Sequence, residues 1–178
     1  MKRTRSAFTL VEVLIALTLL AIIMLSIGAA VNAAVDSYQS NDALAAATNS
    51  ARAVLQRVLT DVRQAAAIDQ HLTDSTGVGI YLPRASASDD QIELYYHLDD
   101  AGVFRMDRYV NGTLQASYPL LGDGDGLSVS TLSVTTSTGT DWKGLNCVKC
   151  VDMRLGVVCS GHETFVSGSA YPRRNLIF

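Results

Sequence analysis

Residues 7–31 read AFTLVEVLIALTLLAIIMLSIGAAV, and this stretch sets the organisation of the chain. From Val13 to Val31 there are nineteen consecutive residues without a charge. A helix of that length spans about 28 Å, close to the hydrocarbon thickness of a bilayer. The sequence therefore predicts one membrane-spanning helix near the N-terminus.

The charges on either side of this helix predict its orientation. Three basic residues precede it, and the first acidic residue after it is Asp36 (the basic residues are Lys2, Arg3 and Arg5). Basic residues concentrate on the cytoplasmic side of membrane helices. We therefore expect a cytoplasmic N-terminus, with the bulk of the chain on the other side of the membrane.

One acidic residue, Glu12, lies inside the apolar stretch. A carboxylate at bilayer depth costs about 2.5–3.5 kcal/mol on insertion scales and therefore calls for a functional explanation. A cleaved secretory signal, with a cleavage site at residues 29–30 or 33–34, has no use for such an acid. A position at the level of the lipid headgroups, where the cost is small, is the other alternative.

The ten residues from Ala7 to Ala16, AFTLVEVLIA, resemble the prepilin-type cleavage and methylation motif of type IV pilins and type II secretion pseudopilins. The resemblance implies that a prepilin peptidase cuts between Ala7 and Phe8 and then N-methylates Phe8. Glu12 would be the fifth residue of the mature chain. The family usually has glycine before the cut, where this chain has Ala7.

The resemblance also gives Glu12 a role in assembly. Cleavage creates a positively charged amine on Phe8, and in this family the glutamate of one subunit neutralises the amine of a neighbour. A nearby opposite charge removes much of the penalty of burying a carboxylate. Glu12 is thus expected to favour assembly with other pilin or pseudopilin subunits.

A helical pattern continues beyond the apolar stretch. Small and aliphatic residues recur at three- and four-residue spacings, an amphipathic stripe that predicts a helix packed on a sheet (Leu44, Ala47, Ala51, Leu55, Val58, Val62 and Ala65). We predict a leader over 1–7, a transmembrane and assembly helix over 8–35, an amphipathic continuation over 36–70 and a β domain over 71–178.

After residue 71 the pattern changes to that of strands and turns. Alternating or β-branched runs predict strands at 91–98, 103–110, 113–118, 127–136 and 148–159. Asn111-Gly112 between two of them is a hairpin signal. The predicted fold class is α+β, with a long N-terminal helix packed on an antiparallel β-meander, as in pilins.

Four further segments are similar to the minor pseudopilin of the J type and to related minor pilins. They are LYYHLDDAGVFRMDRYVNG at 94–112, LLGDGDGLSVSTLSV at 120–134, VKCVDMRLGVV at 148–158 and RRN at 173–175. Minor subunits of this kind are thought to sit at the filament tip and to help initiate assembly. The resemblance implies that role here.

Three cysteines, Cys147, Cys150 and Cys159, leave several alternatives open. An oxidising compartment favours a disulfide between two of them, and sequence does not choose among the three pairings. A zinc site that adds His162, or a redox role for the Cys147-Cys150 pair, is less consistent with a single C-x-x-C that opens a strand. We predict a structural disulfide and no metal.

The run Asp123-Gly-Asp125-Gly resembles the start of a calcium loop. The EF-hand pattern needs a further oxygen ligand where Leu127 stands, so that pattern fails. A tight solvated turn is the favoured interpretation, with a non-EF calcium site as the alternative that several pseudopilins suggest. No other cofactor is expected.

Composition and isolated residues argue against an enzyme or a nucleic-acid-binding protein. The net charge is −3, and residues 36–178 hold 11 basic and 16 acidic side chains, whereas nucleic-acid-binding domains are basic. The three histidines, His71, His97 and His162, lie apart from any paired nucleophile in the sequence. Arg173-Arg174 is too short a pair to imply a polyanionic partner.

Together these features predict a minor pilin or pseudopilin subunit of the bacterial inner membrane, with a periplasmic β domain. Its helix would be incorporated into a type IV pilus or a type II secretion pseudopilus. Its partners would be the prepilin peptidase and other subunits. The alternative is a single-pass, membrane-anchored periplasmic binding module that does not polymerise.

Overall fold

The computed structural model describes residues 9–69, 72–86, 88–124, 126–140 and 146–172. One helix, α1 (Leu10–Gln64), precedes eight strands: β1 (Ala67–Asp69), β2 (Gly77–Tyr81), β3 (Ile92–Leu98), β4 (Phe104–Val110), β5 (Thr113–Leu121), β6 (Leu127–Thr140), β7 (Asn146–Cys159) and β8 (His162–Ala170). All the strand pairs recorded are antiparallel. The predicted α+β class, a long apolar N-terminal helix followed by antiparallel sheet, is confirmed.

The chain divides into two compact units, Met1–Asp42 and Ala43–Phe178. In the first unit the described residues are mainly α1, and the side chains of 9–39 are all exposed. The second unit contains the rest of α1, all eight strands and a buried core. The division between the two compact units falls after Asp42.

The part of α1 in the second unit is amphipathic, as its sequence predicts. Its buried residues repeat at helical spacing and almost coincide with the predicted stripe (Ala47, Ala51, Leu55, Val58, Leu59 and Val62). The helix ends at Gln64, earlier than the predicted 70, because Ala67–Asp69 pairs with β2 as a short strand. Sheet pairing thus overrides the local helical propensity of this alanine-rich segment.

The strands form two sheets in which neighbours in sequence are neighbours in space. The first sheet has the order β1-β2-β3-β4-β5 and the second β6-β7-β8. The five predicted strands correspond to β3 to β7, and the prediction missed β1, β2 and β8. The strands that were predicted to form one meander therefore form two separate meanders.

Two tight hairpins depend on residues with positive φ. Asn111 (φ 50°) and Gly112 (φ 77°) join β4 to β5, which confirms the hairpin predicted from that dipeptide. Ser160 (φ 51°) and Gly161 (φ 78°) join β7 to β8 in the same way. The second pair fixes where β8 begins and hence its register on β7.

One core lies between α1 and both sheets within the second unit. Tyr96 on β3 is fully buried, and its hydroxyl donates a hydrogen bond of 2.6 Å to Asp61 on α1. Gly168 on β8 lies close to Leu59, because a Cβ at that glycine would come within 2.6 Å of Leu59 Cδ1. The hydrogen bond from Tyr96 to Asp61 therefore holds α1 against the first sheet, and the close packing of Leu59 on Gly168 holds it against the second.

Candidate functional site

The N-terminus of α1 is closed by a reciprocal pair of side chains, Thr9 and Glu12. Glu12 Oε2 accepts hydrogen bonds from the Thr9 backbone N–H and the Thr9 hydroxyl, each at 3.0 Å. The Glu12 N–H donates to Thr9 Oγ1 at 3.3 Å. This is a capping box, in which a Ser or Thr N-cap and a Glu three residues later satisfy free helix N–H groups. The T-x-x-E spacing is visible in the sequence, but the sequence-based prediction gave Glu12 a role only in charge pairing.

The helix that follows this cap presents apolar side chains on every side. Large aliphatic residues around the helix are half or more exposed, such as Leu17 (59%), Leu25 (74%) and Ile27 (53%). The hydroxyls of Thr18 and Ser26 donate to helix carbonyls at 2.8 and 2.9 Å. Both hydroxyls thus form hydrogen bonds within the helix, as is expected of polar side chains on a helix surrounded by lipid.

Among the described residues, α1 is the one helix long and apolar enough to cross a membrane. A family model for the prokaryotic N-terminal methylation motif matches residues 2–28. The chain has a prepilin-type N-terminus. This supports a relationship to the type IV pilin-like superfamily and single-pass anchoring. The motif also implies a prepilin peptidase and pilin-family subunits as partners.

Neither a curated protein nor a solved structure matches the chain. The resemblance to the J-type minor pseudopilin therefore stays a prediction. Ala7 and Phe8, the predicted processing residues, lie outside the described residues, as does the rest of the leader.

The structure does not support a disulfide. Cys147, Cys150 and Cys159 are buried free thiols on the single strand β7. Residues three apart on a strand are separated by about 10 Å, and Cys159 lies farther still from the other two. Cα atoms more than about 7 Å apart cannot be bridged without backbone movement.

The remaining predicted ligands do not come together in the part of the chain that the structure describes. No group of three His, Cys, Asp or Glu side chains forms a potential metal site there. Asp123 is exposed in the loop between β5 and β6. Asp125, His71 and the pair Arg173-Arg174 lie outside the described residues.

His97 belongs to a polar arrangement on the first sheet. Its Nε2 lies 3.0 Å from Asp107 Oδ2, and its ring stacks on Tyr95 with centroids 4.8 Å apart. The ring is therefore held by a carboxylate and an aromatic neighbour.

Two buried carboxyl groups meet on this same sheet, and sequence reasoning missed them. Asp69 on β1 and Glu93 on β3 are each 8% exposed, and the Tyr81 hydroxyl donates to Asp69 Oδ2 at 2.6 Å. Gly79 between them has no side chain, which leaves room for Glu93 and Leu72 to approach. Burial first, and then the hydrogen bond and the charge of Asp69, raise the pKa of Glu93 to about 7.

This raised pKa predicts a specific pH dependence. The ordinary pKa of Glu93 is 4.5, so between pH 4.5 and about 7 the folded chain binds more protons than the unfolded chain. Its contribution to stability is complete below that window and is lost as the pH rises through it. Glu93→Gln keeps a hydrogen-bond donor for Asp69 without a charge. We expect it to raise the unfolding free energy at pH 8 by about 1–2 kcal/mol, with little change at pH 4.

Urea unfolding of the full chain in detergent micelles, measured at both pH values, tests this expectation. Glu163→Gln is the matched control, because Glu163 is exposed. It should shift stability equally at the two pH values. If the unfolding free energies of wild type and Glu93→Gln changed with pH in parallel, the raised pKa of Glu93 would be contradicted.

Proposed function

We propose that this protein is a minor pilin or pseudopilin subunit, cleaved between Ala7 and Phe8, methylated on Phe8 and incorporated through α1 into a filament. The filament is a type IV pilus or a type II secretion pseudopilus, and the subunit acts at its tip or in the initiation of assembly. The observation that carries the proposal is the Glu12 carboxylate, held at the start of the apolar part of α1, whose side chains are exposed as far as residue 39. The match of residues 2–28 to the methylation motif supports it.

The geometry of Glu12 fits a dual role in this function. Both hydrogen bonds from Thr9 go to Oε2. Oε1 therefore stays available, within the described residues, for the terminal amine of a neighbouring subunit. A charge-assisted bond to that amine would compensate burial of the carboxylate in a helix bundle. The cap need not open when the neighbour binds.

Processing gives the most direct test of the proposal. Co-expression with a prepilin peptidase, followed by mass spectrometry of the intact chain, should show loss of residues 1–7 and one methyl group on Phe8. Ala7→Gly should be processed at least as completely, since glycine is the family's usual residue there. An intact Met1 in both chains would overturn the proposal and favour the membrane-anchored binding module.

A further inference from the structure

Strand β8 is an edge that the fold leaves open. Within the described residues the two sheets have four edge strands: β1, β5, β6 and β8. Proteins usually blunt such edges with short strands, proline, bulges or charge, because unpaired backbone groups invite other strands.

Three of these edges are blunted. β1 has only three residues, and β5 contains Pro119 and pairs with β4 through two register irregularities. β6 pairs with β7 through two further irregularities. By contrast, β8 has nine residues, contains no proline, carries its one acidic side chain, Glu163, near its start and outside the segment from Phe165 to Ser169, and keeps continuous register on β7 from Cys159↔His162 to Val151↔Ala170.

The parity of β8 identifies its outward backbone groups. His162 pairs with Cys159 across a two-residue turn, so even-numbered residues of β8 bond to β7 and odd-numbered residues point outward. Arg63 Nη2 donates to the carbonyl of Ser169 at 3.2 Å, which agrees with that parity. Phe165 and Ser167 have no outward backbone partner within the described ranges.

A groove lies between this edge and α1, entirely within the second compact unit. Its volume is about 530 Å³, and its walls are β8 from Phe165 to Ser169 and the face of α1 from Arg52 to Arg63. Leu55 and Leu59, each 5% exposed, supply its apolar floor. Five residues of β8 provide about 16 Å of edge for an added strand.

The charge of this groove is opposite to that of most of the chain. Arg52 and Arg63 are its charged lining residues, and both are exposed. The ion pairs found among the described residues are His97–Asp107 and Asp99–Arg105, so neither groove arginine is neutralised by a carboxylate there. Residues 36–178 as a whole carry more acids than bases. Charge complementarity therefore favours an acidic occupant.

We propose that β8 and this groove bind an extended, acidic segment of a partner protein by β-strand addition. The partner's backbone pairs with the outward groups of Phe165 and Ser167, and its carboxylates face Arg52 and Arg63. Main-chain hydrogen bonds supply affinity in such complexes, and alternate side chains supply specificity. This surface goes beyond the proposed assembly through the N-terminal helix and does not depend on processing at Phe8.

The test uses the full chain in detergent micelles and a labelled nonapeptide of alternating valine and glutamate. Fluorescence anisotropy should show saturable binding. Peptides with lysine in place of glutamate, or with methylated backbone nitrogens, should bind at least about tenfold more weakly. Hydrogen exchange should show new protection of the Phe165 and Ser167 amides when the acidic peptide is bound.

Two sets of variants separate the backbone and charge contributions. Ser167→Pro removes an outward N–H without breaking the ladder to β7 and should weaken binding about tenfold, whereas Ser167→Ala should not. Arg52→Glu combined with Arg63→Glu should weaken binding by a similar factor, whereas Arg57→Glu outside the groove should not. Circular dichroism verifies that each variant is folded.

Several results would overturn the proposal. Absence of binding, or equal binding of the backbone-methylated peptide, would exclude strand addition. Equal binding of the lysine peptide would exclude an acidic partner. Dimerisation of the chain through β8 without peptide would assign the edge to a second copy.

Discussion

Glu12→Ala is expected to insert into the membrane normally and to be absent from assembled filaments. Removal of the carboxylate lowers the cost of burial in lipid but leaves the neighbour's terminal amine without a counter-charge. It also removes the cap at Thr9, so loss of assembly in this variant alone would have two explanations. Two further variants separate them.

Glu12→Gln keeps a side-chain oxygen that can accept the Thr9 N–H, as Gln does in other capping boxes. It should nevertheless fail to assemble. Thr9→Ala keeps the charge and loses the cap at a cost of about 0.5–2 kcal/mol, and it should still assemble. The measurement is the amount of subunit in sheared filament or cross-linked complexes relative to the membrane fraction. Normal assembly of Glu12→Gln would show that assembly does not require the charge of Glu12.

Phe104→Ala should be among the most destabilising single changes in the second unit. Phe104 is 1% exposed and stacks with Tyr96 at a centroid distance of 6.4 Å. Truncation of a buried phenylalanine to alanine costs about 3–5 kcal/mol through lost burial and an unfilled cavity. That is a large fraction of the total stability of a typical domain.

The matched control is Phe165→Ala on β8. Phe165 is 45% exposed, and Arg154 lies over its ring at 4.2 Å. We expect a loss of about 1 kcal/mol or less from this change, since little apolar area leaves water there. Urea unfolding followed by near-ultraviolet circular dichroism of the tyrosines measures both. Equal losses for the two variants would contradict the described core.

Strong local patterns made much of this structure predictable. The apolar run and the stripe from Ala47 to Val62 predicted α1, and alternation predicted β3. Asn111-Gly112 predicted its hairpin because few residue pairs adopt positive φ twice. In each case the sequence pattern and the tertiary environment agree.

The missed features depend on contacts between distant parts of the chain. Nothing local distinguishes Ala67–Asp69 from the preceding helix, and its strand conformation follows from pairing with β2. By alternation, Glu93 lies on the face of β3 that the sequence predicts to be polar. It is buried because Asp69 and Leu72 approach it across Gly79. The disulfide was predicted only from the oxidising compartment. The spacing of the three cysteines along one strand, which keeps their thiols apart, was not considered.

The pairing order of the strands has a consequence for how the protein folds. Each strand pairs with its immediate neighbour in sequence, so both sheets can form by closing local loops. Topologies with low contact order fold fast, because little chain entropy is lost before native contacts form. Docking of α1 on both sheets, and the contacts of β6 with β2 and β3, join more distant segments. We therefore expect each sheet to form early and the helix to dock afterwards, so that the β domain is complete before the proposed assembly with other subunits begins.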